Sequence, residues 1–246
     1  MSKFSDVFKV DKPIIGMIHC YNNGDVIGCA LKEIEIYEEE GVDGYIVENY
    51  FGSAADVWAV LLHRDRSGKC AVGVNILPNE FEVAFNYAYA VGGNFIQVDC
   101  VGGKYIDRKN LNKDLLRWNG DNYPDIISLG GVWPKYYFKV PDSDLEADIR
   151  EAESRVDAIV VTGDGTGHET PINKIKSFRE LTSYPLIIGA GLTVDNAKEQ
   201  LSIGDGAIVG SYFKEGGVAH SPMDRKRVRD LMDVVKSIRK NEVAEI

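Results

Sequence analysis

Eight short apolar runs alternate with helical patterns along the chain, and this alternation constrains the fold more than any other feature. A strand buried in a parallel sheet reads as a short, continuous apolar run, and strict alternation with helices means parallel strands joined by right-handed crossovers. The predicted strands are Ile14–Cys20, Tyr45–Asn49, Ala71–Leu77, Phe95–Cys100, Asp125–Tyr136, Ala158–Gly163, Leu186–Ile188 and Ala207–Val209.

The chain length decides between the two folds that such an alternation allows. Eight units in 246 residues favour a closed (β/α)8 TIM barrel, an α/β fold, as a single domain over residues 1–246. The alternative is an open, doubly wound sheet. That fold would need a G-x-G-x-x-G turn after the first strand, whereas residues 19–24 read HCYNNG.

Capping signals place several helices between these strands. Asp25–Glu40 is predicted to be a helix that ends at Gly41, and Ser53 with Asp56 predicts a capping box. Polar residues followed by proline predict further helix starts at Thr170-Pro171 and at Ser221–Asp224. The least regular link is residues 102–123, where one helical turn is predicted around residues 111–118.

Glycines follow the last two predicted strands directly. Glycine at a strand end lets the backbone approach a ligand and leaves N–H groups free to point at it. In a (β/α)8 barrel, the loops after strands 7 and 8 are a frequent phosphate site. The sequence therefore predicts that a phosphorylated small molecule binds here. The predicted phosphate-binding residues are Gly189, Ala190, Gly191, Gly210 and Ser211.

Composition excludes some partners and predicts the compartment. The formal net charge of -10 argues against nucleic acid as a partner. None of the four cysteines forms a C-x-x-C pair, so reduced, at least half-buried thiols are expected. The polar segment 1–12 predicts no signal peptide, and no apolar run approaches the ~20 residues that span a bilayer. We expect a cytoplasmic protein, and a homo-oligomer is compatible with the sequence.

Polar residues at the strand ends predict the catalytic site, because barrel chemistry sits at the C-terminal ends of the strands. Glu48 is a candidate general base with a raised pKa, or else an ion-pair partner of Lys135. Lys135 suits electrostatic binding of an anion, with Schiff-base formation as an alternative. His19 is either an acid–base group or a hydrogen-bonded structural residue. The predicted catalytic residues are Glu48, Asp99, Lys135, Asn75 and His19.

Paired carboxylates such as Glu48 and Asp99 divide acid and base work, or hold a divalent metal. No cofactor is predicted, and the other histidines lack the spacing of a zinc site. The glycine-rich loop after the sixth strand is either a mobile lid over the substrate or a plain flexible connection. The predicted lid residues are Thr162, Gly163, Asp164, Gly165, Thr166 and Gly167.

Basic residues are frequent in the final helix, but acidic residues are interleaved with them. Arg225, Lys226, Arg227 and Arg229 alternate with residues such as Asp230. The mixed charge predicts a solvated face; a surface for membranes or acidic partners is the alternative.

Several motifs together resemble the BtpA/SgcQ family. The matching stretches are KPIIGMIH (12–19), EEGVDGYIVEN (39–49), GVNILPNEF (73–81), DAIVVTGDGTGHET (157–170), residues 185–214 and SPMDRKRVRDLM (221–232). The resemblance implies a ribulose-phosphate-binding-type barrel, in agreement with the strand count. This sequence departs from the family pattern in the loop after the first strand and at Asp99, where the family commonly has asparagine.

The resemblance implies two functions of different classes. The family's namesake is associated with photosystem I accumulation in cyanobacteria, peripheral to the membrane, which implies a non-catalytic assembly factor. Other members often occur beside sugar-metabolism genes, which implies a more general metabolic role. The predicted phosphate site and the ionisable strand ends together predict an isomerase, epimerase or lyase acting on a small phosphorylated metabolite such as a sugar phosphate. Because the ionisable strand ends are retained, we expect the enzyme.

Overall fold

Eight parallel strands close into one barrel in sequence order, from β1 to β8 and back to β1. The computed structural model describes residues 3–21, 24–107 and 114–244. The predicted TIM barrel is confirmed. Its strands are β1 Ile14–His19, β2 Gly44–Glu48, β3 Ala71–Asn75, β4 Phe95–Gly102, β5 Ile127–Val132, β6 Ala158–Val161, β7 Leu186–Ile188 and β8 Gly206–Val209.

Helices connect the strands and cover the outside of the barrel. Within the described residues they are α1 Lys3–Val7, α2 Val26–Glu40, α3 Ala54–His63, α4 Phe81–Val91, α5 Asp114–Asn122, α6 Leu145–Glu153, α7 Ile172–Leu181, α8 Ala197–Leu201 and α9 Arg225–Ala244. A 3-10 turn, Ser211–Phe213, follows β8 directly.

The predicted end of α2 at Gly41 and the predicted capping box at the start of α3 are confirmed, and Asp25 is the N-cap of α2 rather than its first residue. The side chain of Asp25 accepts from the Gly28 N–H, and α2 ends at Gly41 in the left-handed conformation. Ser53 and Asp56 form the reciprocal capping box of α3. These local signals were readable because each satisfies backbone groups that a helix end would otherwise leave unpaired.

Several predicted boundaries are wrong, and three of them have an evident physical cause. Strand β5 ends at Val132, not at residue 136, because Trp133 takes a positive φ of 50° and Pro134 follows it. Pro171 is the N-cap of α7 rather than its first residue. Helix α9 begins after Asp224, whose carboxylate accepts from the Arg227 N–H and replaces the cap predicted upstream.

The irregular link after β4 contains a helix that overlaps the predicted turn. Helix α5 covers Asp114–Asn122, so residues 114–118 of the turn predicted around residues 111–118 are helical. Residues 111–113 of that prediction lie outside the described part of the chain.

Two apolar layers stabilise the barrel: one lies between the strands and the helices, and the other fills the interior of the barrel. Helix α1 closes the N-terminal end, since Phe4 and the following Phe8 belong to the inner layer, and the Phe8 ring lies 5.3 Å from that of Phe95. The opposite, C-terminal end carries the polar residues, so its mouth is where a ligand can enter.

Candidate functional site

The side-chain alternation of the strands brings the polar residues together. In β1, Ile15 and Met17 belong to the inner apolar layer, so His19, two residues further, points into the barrel as well. The parallel register pairs His19 with Glu48, and Glu48 with Asn75. Three of the predicted site residues therefore lie side by side on adjacent strands at the same height in the barrel.

A cavity of about 340 Å³ opens at this mouth. His19, Glu48, Asp99 and Lys135 line it, together with all five predicted phosphate-binding residues. Asn75 is not among the lining residues and is almost fully buried. Four of the predicted catalytic residues and the glycine-rich loops therefore line one common cavity, and Asn75 is buried behind its wall.

Glu48 is a buried carboxyl group whose position is set by two neighbours. Asn75 Nδ2 donates to Glu48 Oε2 at 2.6 Å, and His19 Nε2 lies 3.6 Å from Glu48 Oε1. Burial and, to a smaller extent, the charge of Asp99 raise the pKa of Glu48 to about 8, against the opposing effects of Lys135 and Asn75. The group therefore titrates near neutral pH and can both accept and donate a proton.

His19 is neutral at physiological pH. Burial and, to a smaller extent, the positive charges of Lys214 and Lys135 lower its pKa to about 3. A neutral imidazole beside Glu48 adds no positive charge that would favour the ionised carboxylate. His19 also contacts the Tyr50 ring at a centroid distance of 5.2 Å.

Asp99 lies near the amide that binds Glu48, and Lys135 lies beyond ion-pair distance from Glu48. The Asn75 amide, which serves Glu48, also reaches Asp99 Oδ1 at 3.5 Å. Among the described residues, no lysine lies within ion-pair distance of Glu48, so the direct Glu48–Lys135 pair is not formed. Lys135 follows β5 on a loop, held by a hydrogen bond from its backbone N–H to Thr162 Oγ1 at 3.0 Å.

The loops after β7 and β8 pack tightly against the loop after β6. Gly191 has a φ of 74°, and a Cβ there would come within 2.3 Å of Glu169 Cα. A Cβ on Gly167 would meet the Ser211 side chain at 3.2 Å. Glycine is thus required at residue 191 by both backbone angle and space, and the bare backbone it leaves faces the cavity.

Hydrogen bonds hold the loop after β6 in place at the barrel mouth. The Thr166 N–H donates to Tyr136 Oη at 3.0 Å, and the hydroxyl groups of Tyr50 and Tyr136 both contact Thr166 Oγ1. Of the predicted lid, Thr166 and Gly167 line the cavity with Thr162, which is buried at the end of β6.

The remaining predicted lid residues do not line this cavity. Gly163 and Asp164 face a neighbouring outer pocket on the other side of the β5 loop, and Gly165 is buried. Residues 162–165 thus form the base of the loop, and its covering part is the segment around Thr166.

A model of the BtpA family matches residues 10–237. The chain belongs to the BtpA family. It is 30% identical to an uncharacterised protein of Thermococcus kodakarensis, over 94% of this chain and 98% of that protein. It is 27% identical to a Synechocystis protein named "Photosystem I biogenesis protein BtpA", over 93% of this chain and 89% of that one.

Solved structures with the same fold are more distant in sequence. Thiamine phosphate pyrophosphorylase from Pyrococcus furiosus superposes with a TM-score of 0.61 at 14% identity, covering 94% of this chain and 98% of that one. Phosphoribosyl anthranilate isomerase from Thermus thermophilus gives 0.64 at 13% identity, covering 92% and 100%. At such identities the similarity confirms the barrel fold.

Several residues that line this BtpA-family cavity were not predicted from the sequence, among them Tyr50, Gln97, Tyr212 and Arg227. Gln97 was readable in principle, because it lies two residues before Asp99 on the inward face of β4. Arg227 was also readable, because the first turn of a helix that follows a barrel strand lies at the mouth. The charge pattern of α9 obscured it.

The rest of the α9 surface is a solvated, internally paired face, as predicted. Arg225 and Arg229 both bind the carboxylate of Glu40, and Lys226 pairs with Asp230 at 2.6 Å. These cations are therefore committed to acidic groups of the same molecule and do not form an unpaired basic patch.

The structure adds three observations on cofactors, membranes and thiols. No cluster of three potential metal-ligating side chains occurs within residues 3–21, 24–107 and 114–244. Over the same residues, every helix is too short or too polar to cross a bilayer. None of the four cysteines is in a disulfide; three are buried and Cys29 is partly buried, in agreement with the expected burial.

Proposed function

We propose that this protein is an enzyme of the isomerase, epimerase or lyase type that acts on a small phosphorylated metabolite such as a sugar phosphate. The observation that carries the proposal is one cavity that joins glycine-ended loops after β7 and β8 to a buried carboxyl group, Glu48, with a pKa of about 8. A phosphate anchor and a proton-transfer group in one space are the two parts that such chemistry needs.

The phosphate would lie against the backbone of residues 189–191 and 210–211. Backbone N–H groups at glycine turns bind anions without requiring a charged side chain. The name of each solved structure described above, the pyrophosphorylase and the isomerase, includes a phosphorylated compound, which supports the same ligand class for this barrel. The chain's net negative charge makes such local donors necessary for an anionic substrate.

Glu48 would carry the proton. In its ionised form the carboxylate removes a proton from the carbon next to the substrate carbonyl, and the electron pair of that C–H bond moves to the carbonyl oxygen. Lys135, which faces the same cavity, would stabilise the negative charge on that oxygen. Return of the proton to a different carbon, or to the other face, gives isomerisation or epimerisation.

Asn75 and His19 would act as positioning residues for this step. Asn75 holds Glu48 by a hydrogen bond and has no surface on the cavity. The neutral imidazole of His19 adds no positive charge beside the carboxyl group. A reducing, cytoplasmic compartment fits the four cysteines, none of which is in a disulfide.

A non-catalytic biogenesis factor is the second candidate. The similarity to the Synechocystis protein, whose name assigns it to photosystem I biogenesis, favours this function. A non-catalytic scaffold does not require a buried carboxyl group with a raised pKa, so it would keep its function after Glu48→Gln. The enzyme would lose its function with the same change.

A ligand screen by thermal unfolding tests the enzyme proposal. Each aldose or ketose phosphate is compared with its unphosphorylated sugar, since a ligand at a hundred times its Kd adds about 2.7 kcal/mol to the stability of the folded state. Stabilisation by at least one phosphorylated compound and not by its sugar is expected. Equal effects of both, or none from any phosphorylated compound, contradict the proposal.

A further inference from the structure

Arg227 differs from the cations around it on α9. Arg225, Lys226 and Arg229 each contact an acidic side chain. Within the described part of the chain, Arg227 has no such partner, and its Nε is buried without a hydrogen-bond acceptor. No acidic side chain of the described residues neutralises this guanidinium group, so its N–H groups at the cavity are available to an anion.

Arg227 and the glycine cradle share one cavity. Arg227 lines the same cavity as residues 189–193 and 210–212, and its Cζ lies 4.5 Å above the centre of the Tyr212 ring. The ring fixes the plane of the guanidinium by a cation–π contact, while Tyr212 itself follows Ser211 in the turn after β8. One side chain is therefore held in a fixed orientation beside the backbone donors.

A glycine also borders this group at the cavity. Gly217 lines the cavity with a positive φ of 74°, and a Cβ on it would lie 4.0 Å from Arg227 Nη2. The N–H groups of a planar guanidinium match the geometry of phosphate oxygens, and they carry a full positive charge that backbone N–H groups lack.

We propose that Arg227 is the side-chain ligand of the phosphate group, positioned by Tyr212 and completing the backbone cradle of residues 189–191 and 210–211. The inference rests on the proposed function, since it concerns the same anion site. It adds that a dianionic phosphate ester is selected by a positive charge, and that the α9 helix contributes directly to the site.

Isothermal titration with inorganic phosphate tests this inference, using the full chain, Arg227→Met and Lys226→Met. Methionine keeps an unbranched apolar stem on Tyr212, and Lys226→Met removes the same charge from the next residue, which is exposed. We expect Arg227→Met to raise the Kd on the order of 10- to 100-fold, the value of one or two charge-assisted hydrogen bonds. Lys226→Met is expected to change it less than about twofold.

The outcomes separate the inference from the function on which it rests. If wild type binds phosphate and Arg227→Met binds it equally well, the role of Arg227 is overturned and the proposed function stands. If wild type does not bind phosphate, both are overturned. Should Arg227→Met not fold, a crystal structure of wild type with phosphate decides: contact between phosphate and the guanidinium supports the inference, and phosphate elsewhere in the cradle overturns it.

Discussion

Asn75 donates from Nδ2 to Oε2 of Glu48 at 2.6 Å, and both side chains are buried at the level where β2 and β3 end. The pair keeps a carboxyl group in a place where water cannot solvate its charge. Burial is therefore the main cause of the raised pKa of Glu48, and the amide opposes it only in part.

Glu48→Gln is expected to stabilise the protein increasingly as pH rises. The pKa of Glu48 is raised from 4.5 to about 8, so its favourable contribution to folding is complete below pH 4.5 and is lost as pH rises through about 8. Glutamine mimics the protonated form at every pH. The Tm of the variant minus that of wild type should grow between pH 5 and pH 9, whereas Glu35→Gln, exposed on α2, should show no such trend.

Asn75→Ala is expected to destabilise the protein by about 1–3 kcal/mol, because it leaves the buried Glu48 without its hydrogen-bond donor. Urea unfolding at pH 7 measures the change. Asn86→Ala is the control, since Asn86 is exposed and accepts only from the Tyr123 hydroxyl at 2.8 Å. Equal losses for both variants would show that the Asn75–Glu48 contact has no special energetic role.

Gly191→Ala is expected to cost more stability than Gly92→Ala. Both glycines have positive φ, 74° and 68°, so both substitutions carry the backbone penalty of about 1–2 kcal/mol. Only at Gly191 would the new Cβ also meet backbone atoms, at 2.3 Å from Glu169 Cα. Urea unfolding of both variants measures the extra loss of stability in Gly191→Ala. Phosphate titration of Gly191→Ala measures the effect on the predicted anion site. No difference between the two variants would refute the tight packing of this cradle.

Tyr136→Phe is expected to release the loop after β6. The Thr166 N–H donates to Tyr136 Oη, so loss of the hydroxyl removes its acceptor. Hydrogen exchange of the Thr166 amide should become faster by about the factor that corresponds to one net hydrogen bond, roughly 2- to 10-fold. Tyr89→Phe, 69% exposed on α4, serves as the control. Unchanged exchange at Thr166 would mean that other contacts hold the loop.

The barrel and the floor of the site could be read from the sequence because they follow from local periodicity. Apolar runs indicated the strands, and the C-terminal ends of those strands indicated His19, Glu48 and Asp99 as site residues. The loop after β5 could not be read in this way. Its course depends on positive φ angles at Trp133 and Tyr136, which tertiary contacts stabilise and which these residue types do not indicate.

Charge patterning was equally limited on α9. It groups Arg227 with Arg225 and Lys226, since all three are basic and adjacent in sequence. Their environments differ because two of them find carboxylates and the third lies over Tyr212 at the cavity. The packing of α9 against the loop after β8 places Arg227 at the cavity and leaves Arg225 and Lys226 toward solvent, and charge patterning does not show this difference.

Proton exchange with solvent is the most direct test of the central claim, that Glu48 transfers a proton on a phosphorylated carbonyl compound. The protein is incubated in D2O with the phosphates that stabilise it, and deuterium next to the carbonyl is followed by NMR. The account predicts incorporation with wild type that rises with pH toward about 8, and a loss of at least about 100-fold in Glu48→Gln. Incorporation at the wild-type rate in Glu48→Gln, or none with any phosphate that binds, would contradict it.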